Sequence, residues 1–211
     1  MKDDLILLAG MPYPMENFFV YPLTLRETAS IGEYKCNLCL MLLTQKIDQL
    51  KLYFDIEGDY TSTFDYLFKN SINDKGNKGI IISALENYLR ESVSVNANEF
   101  FLFGNVDNPK TLREDNFDDF AEILKLQNCM VKKDNKDEFD PSDAKAKSII
   151  EKMKKSRKSV QDIKNDGEDG EPLTLFDLIS VLSANGNGLN IMNIFDLTMF
   201  SFNDQFNRMR M

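Results

Sequence analysis

Pro172-Leu173-Thr174-Leu175-Phe176-Asp177-Leu178-Ile179-Ser180-Val181-Leu182 opens the stretch that runs to Met211 and organises the chain. Thr174 and Asp177 have the Thr-x-x-acid spacing of a capping box, in which hydroxyl and carboxylate satisfy the first free amides of a helix. Leu175, Ile179 and Leu182 then recur on one face, widened by Leu178 and Val181. Asn185-Gly186-Asn187-Gly188 ends the run with residues that tolerate positive φ. A second helix is expected from near Asn190, burying Ile194, Phe195, Thr198, Phe202, Phe206 and Met209. Pro172–Met211 therefore reads as a C-terminal helical hairpin.

Working outward, an acidic Gly-containing linker, 165–171, precedes the hairpin. Before it, 141–164 is a basic segment with Ala146, Ile149, Ile150, Met153, Val160 and Ile163 on one face, opened by Asp140-Pro141-Ser142-Asp143. It reads as a basic amphipathic helix. Residues 1–140 form the body. There, Leu5–Leu8 and Phe18–Tyr21 read as short strands or extended arms about a turn at Gly10–Pro14. Thr24 and Glu27 make a further capping box, and a helix should run from there to about Leu50, with a kink or break near Gly32. A short helix is expected within Asp59–Ser71, a loop at Asn73–Gly79 and a helix at Ile80–Arg90. Ser92–Val95 and Glu99–Phe103 suit a β-hairpin. Asn116 should cap a helix over Phe117–Gln127. The expected fold class is α+β, predominantly α-helical with a small β-hairpin and the C-terminal helical hairpin.

Composition narrows the chemistry. The chain has 211 residues, 43% of them apolar, enough for one real core. It contains no His and no Trp. That removes Ser-His and Cys-His nucleophile pairs, His-ligated zinc and the commonest general base near neutral pH. The net charge of −9 disfavours nucleic acid as a partner. Lys152, Lys154, Lys155, Arg157 and Lys158 read instead as a salt-bridging or partner-directed face. Cys36-Asn37-Leu38-Cys39 has redox or half-zinc-site spacing, but inside an amphipathic helix the two thiols read as core fillers. Asp55-Ile56-Glu57-Gly58-Asp59 fails as a calcium loop, since Tyr60 and Tyr66 stand where Gly and a bidentate Glu belong. No glycine sits in a phosphate-binding pattern. We expect no enzyme, catalytic residue, cofactor, metal or membrane partner. Two acids and a short apolar run at the start argue against a signal peptide, so the cytoplasm and reduced thiols are expected.

The apolar residues of the last helix exceed what one two-helix contact can hide. Ile194, Phe195, Met199, Phe200, Phe202, Phe206 and Met209 are therefore the candidate partner-binding residues, since adaptable Met-rich surfaces suit apolar helices.

Several strings add a resemblance. Tyr21-Pro22-Leu23-Thr24-Leu25-Arg26-Glu27, Asn116-Phe117 with Leu126-Gln127-Asn128-Cys129, and Gly188-Leu189-Asn190-Ile191 leading to Asp196-Leu197-Thr198 and Asp204-Gln205-Phe206 resemble tail assembly chaperones of Clostridium-type phages and prophages. The resemblance implies a non-enzymatic protein of the bacterial host cytoplasm that binds tape-measure and/or tail-tube protein, with self-association as a second mode. The alternative class is a permanent virion component of the neck, tail completion or baseplate.

Overall fold

The computed structural model describes residues 4–54, 56, 58–73, 75–96, 100–105, 107–131, 174–185 and 188–209. They belong to two compact units, one of Met1–Val131 with Met192–Met211 and one of Lys132–Ile191. The architecture is α+β, mostly helical with small antiparallel sheets.

In the larger unit the first apolar run is a helix, α1 (Asp4–Leu8), where a strand or extended arm was expected. A run this short carries no periodicity that separates the two. Here Ala9 N–H reaches Leu5 O at 2.9 Å, and Gly10, at φ +65°, closes the turn. Strands β1 (Tyr13–Met15) and β2 (Phe18–Val20) pair as a hairpin with Met15 opposite Phe18. Met15, Phe18 and Val20 are buried while Phe19 is exposed.

Helix α2 (Leu25–Ile31) starts on the expected capping box: Thr24 N–H donates to Glu27 Oε2 at 2.8 Å, and Glu27 N–H to Thr24 Oγ1 at 3.2 Å. Gly32 breaks the chain at φ +97°, in the region where only glycine is unstrained. The expected break there separates α2 from α3 (Glu33–Thr44), and the expected run to Leu50 is corrected by a second break before α4 (Ile47–Tyr53). The second break, at extended Gln45, is satisfied from far away. Thr63 Oγ1 donates to Gln45 O at 2.9 Å.

Helices α5 (Thr63–Asn73) and α6 (Lys75–Leu89) follow. The loop expected at Asn73–Gly79 is corrected, because helix continues through Lys75–Gly79. Gly76 and Gly79 each cost a helix about 1 kcal/mol, but extending a helix already anchored by buried Ile81, Leu85 and Leu89 requires no new nucleus. The expected β-hairpin forms as β3 (Ser94–Asn96) and β4 (Phe100–Asn105), with Val95 opposite Phe101. A third strand, β5 (Asn108–Leu112), adds to β4 and was not anticipated, since Pro109 argues against a strand. Pro109 is tolerated because β5 is the sheet's edge.

Gly104 sits opposite Pro109 at φ +89°, and a Cβ there would lie 2.7 Å from the Asn108 carbonyl oxygen. We expect Gly104→Ala to cost about 1–3 kcal/mol through strained backbone alone, read as a lower urea midpoint. The flanking Asn105→Ala should cost much less.

Helix α7 (Glu114–Gln127) starts earlier than expected. Arg113 is the cap residue and Asn116 stands at the third helical position, its Oδ1 accepting the Arg113 N–H at 2.8 Å. The amide thus does what Glu or Gln does in a capping box. The core gathers Phe64, Phe68, Phe101, Phe117 and Phe120 with Leu43, Leu67, Leu85, Leu112 and Leu124. Cys36 and Cys39 are buried in it. Burial pushes both thiols up, away from the thiolate that reacts or binds metal.

In the smaller unit, α8 (Leu175–Asn185) has the expected box: Thr174 Oγ1 donates to Asp177 Oδ2 at 2.6 Å. Ile179 and Leu182 are buried and Phe176 is exposed. The basic segment 141–164, the linker 165–171 and the Asp55 and Glu57 carboxylates lie outside the described residues.

The last helix, α9 (Met199–Met209), belongs to the larger unit. Its expected start near Asn190 is corrected to Met199. A short 3-10 turn at Ile194–Asp196 comes first, and extended Leu197 interrupts the helix. Thr198 then caps α9, with Ser201 N–H on its Oγ1 at 3.3 Å. Among the described residues, no helix is long and apolar enough to cross a membrane.

Candidate interaction cleft

The helix that carries the expected contact residues is seated on the larger unit by main-chain bonds. Thr24 and Thr198 form an antiparallel bridge, and Leu25 N–H donates to Leu197 O at 2.8 Å. Leu25 is the first residue of α2, so its amide has no acceptor within that helix. The C-terminal segment supplies one. In return Ser201 Oγ donates to Leu8 O, at 2.8 Å, beyond the reach of α1's own amides. One helix start and one helix end are therefore satisfied by residues about 170 or more positions away in sequence.

These seams border a cleft of about 560 Å³. Leu8, Pro12, Tyr21, Pro22 and Leu197 give it apolar lining. Glu27, Arg90, Asp196, Asp204 and Arg208 give it charge. Arg90 Nη2 donates to Glu27 Oε1, and Arg208 Nε to Asp204 Oδ2 at 2.6 Å. At the rim, Arg26 Nη2 meets Asp196 Oδ1 at 2.9 Å with both side chains exposed, a pair worth about 1 kcal/mol at most. Gly10 keeps the wall close, because a Cβ at its φ of +65° would come 3.1 Å from Thr198 Cγ2.

Glu27 joins the two halves of this arrangement. Burial pushes its carboxyl up, but the Thr24 amide, the Arg90 guanidinium and the Thr24 hydroxyl together outweigh that and hold it below the usual range. A carboxyl lowered in the fold contributes stability above its unfolded pKa and loses it as pH falls through the folded value. We therefore expect Glu27→Gln to lower the melting temperature at pH 7, with the gap to wild type closing as pH falls from 6 toward 3. A gap constant across that range would contradict the assignment.

The candidate contact residues divide. Ile194 is fully buried and Phe202 is 3% exposed, so neither can anchor a partner while the segment stays docked. This corrects the expected contact set: Phe202 lies on α9, which packs against α1 and α7, and Ile194 lies in the short 3-10 turn packed against α2. Phe195, Met199, Phe200 and Phe206 are half-buried, and Met209 is 36% exposed. Gly10, Arg90, Ser201 and Arg208 line the cleft without having been singled out in sequence. Only Gly10 had a signal, its place in a turn-rich stretch. Two of the strings that carried the resemblance do meet here. Tyr21, Pro22, Thr24 and Glu27 come from one, and Asp196, Leu197, Thr198, Asp204 and Gln205 from the other. Asn116-Phe117 lies elsewhere, in α7.

No curated protein matches the chain, and no solved structure does. Residues 163–211 match the family model described as the YomV second domain, a phage-related family named for a protein of the Bacillus subtilis SPβ prophage. The matched residues include the segment that borders the cleft, and over them the chain is similar to this phage-related family.

Proposed function

We propose that the chain is a non-enzymatic tail assembly chaperone, acting in the cytoplasm of the bacterial host on the tape-measure protein, the tail-tube protein or both. The observation that carries this reading is the convergence at one cleft of two separated strings that resemble such chaperones. The phage-related match over 163–211 supports the setting. The lining supports the mode, since apolar and paired charged groups in a cleft of this size suit a short segment of another chain. The half-buried Phe195, Met199, Phe200 and Phe206 with exposed Met209 offer further apolar area beside it.

The test is to follow the protein through assembly. A chaperone is present with tape-measure or tail-tube protein in assembly lysates and absent from purified particles. A fixed number of copies in every finished particle would instead identify a permanent virion component and end the chaperone reading.

A further inference from the structure

Arg90 is the one residue of the cleft held in a conformation that its own type disfavours. It follows α6 at φ +60°, the left-handed position that commonly ends a helix and that glycine fills at least cost. A non-glycine residue there is strained. The strain keeps a guanidinium at the cleft, and that group is under-used. Among the described residues, its hydrogen bond is the one from Nη2 to Glu27 Oε1, out of five N–H donors set in a planar fork. Glu27 is far more committed, since its Oε2 already takes both the amide and the hydroxyl of Thr24. Arg208, at the same cleft, likewise spends its Nε on Asp204. Arg90 thus has spare donors at the cleft, and a planar acceptor with two oxygens fits them best.

We propose that Arg90 is the anchor for a carboxylate side chain on the client segment that enters this cleft, with Leu8, Pro12, Tyr21 and Pro22 taking a neighbouring apolar side chain. The proposal rests on the client-binding reading above and names the chemistry of the segment bound. The cleft's own acids are each paired with an arginine, Glu27 with Arg90, Asp204 with Arg208 and Asp196 with Arg26. The rest of the chain's net charge of −9 acts weakly, because charges beyond about 8 Å are screened at physiological salt.

Two measurements on the full chain test it. In the first, Arg90→Gly, Arg90→Lys and Arg90→Gln are compared with wild type for capture of tape-measure and tail-tube protein and for thermal midpoint. Arg90→Gly and Arg90→Gln should lose at least tenfold in capture, and Arg90→Lys should lose part of it because an ammonium lacks the fork. Arg90→Gly should melt within a few degrees of the wild-type midpoint, since the strain that glycine relieves offsets the lost pair with Glu27. A midpoint several degrees lower, with capture falling in step, would make Arg90 a structural residue and overturn the proposal. The second measurement needs no client. N-acetyl-leucyl-aspartyl-amide should shift the Arg90 Nε–H and Thr24 amide resonances, and its asparaginyl counterpart should not. Equal shifts with both probes, or none with either, overturn the proposal. If wild type captures neither client yet the aspartyl probe shifts Arg90, the anchor stands and the chaperone reading fails.

Discussion

Phe202→Asp should lower stability by about 4 kcal/mol or more, while Phe200→Asp two residues earlier should cost about 1–2 kcal/mol. Phe202 is 3% exposed on α9, and removing a buried Phe side chain alone costs about 3–5 kcal/mol. A carboxylate in its place adds the penalty of an unpaired buried charge. For a chain of this size each kcal/mol moves the melting point by about 2–4 °C. A thermal melt should therefore show a fall of roughly 8–16 °C for Phe202→Asp. Phe200 is half-buried and can turn a polar group toward water. The same reasoning predicts the outcome of truncation before Met192. It would remove the Leu197 carbonyl from the Leu25 amide and expose apolar surface on α1 and α7. The truncated body should melt well below the full chain. An unchanged melt would mean that the segment is an appendage despite its buried side chains.

Phe101→Ala is the second large effect, expected at about 4–5 kcal/mol. Phe101 is fully buried in the central strand of its sheet, between Val95 and Leu112. Its ring meets Phe64 at 5.7 Å and 84° and Phe68 at 5.8 Å and 75°. Such edge-to-face pairs each contribute about 0.5–1.5 kcal/mol beyond area burial, on top of the cavity left by a lost ring. The strand neighbour Phe100 is a useful control. It is half-buried and lies 5.3 Å from the Arg113 guanidinium. Phe100→Ala should cost about 1 kcal/mol or a little more. Urea unfolding should show a much lower midpoint for Phe101→Ala at unchanged slope, since a cavity alters stability and not the area exposed. A midpoint shift no larger than that of Phe100→Ala would remove the aromatic cluster from the centre of the core.

Residues within four positions of one another determined much of this protein. The Thr24–Glu27 and Thr174–Asp177 boxes, the break at Gly32, the alternation that pairs β3 with β4 and the apolar faces of α6 and α7 are local in that sense. Each arises from bonds or spacings within a single turn or hairpin, so each was legible before the fold. The strings behind the tail-chaperone resemblance were legible too, but as separate strings. Only the tertiary structure decided where unfinished backbone groups found partners. Thr63 satisfies the Gln45 carbonyl where α3 ends, and the Leu197 carbonyl, just before α9, satisfies the Leu25 amide. β5 survives Pro109 because it lies on an edge. The cleft followed from the same cause. Its walls come from the arm around Gly10, the start of α2, the end of α6 at Arg90 and the segment around Thr198, and no spacing along the chain relates them. Local patterns set which groups each element leaves unpaired. Packing alone set which distant groups satisfied them, and so placed Phe202 in the core and Arg90 at the cleft.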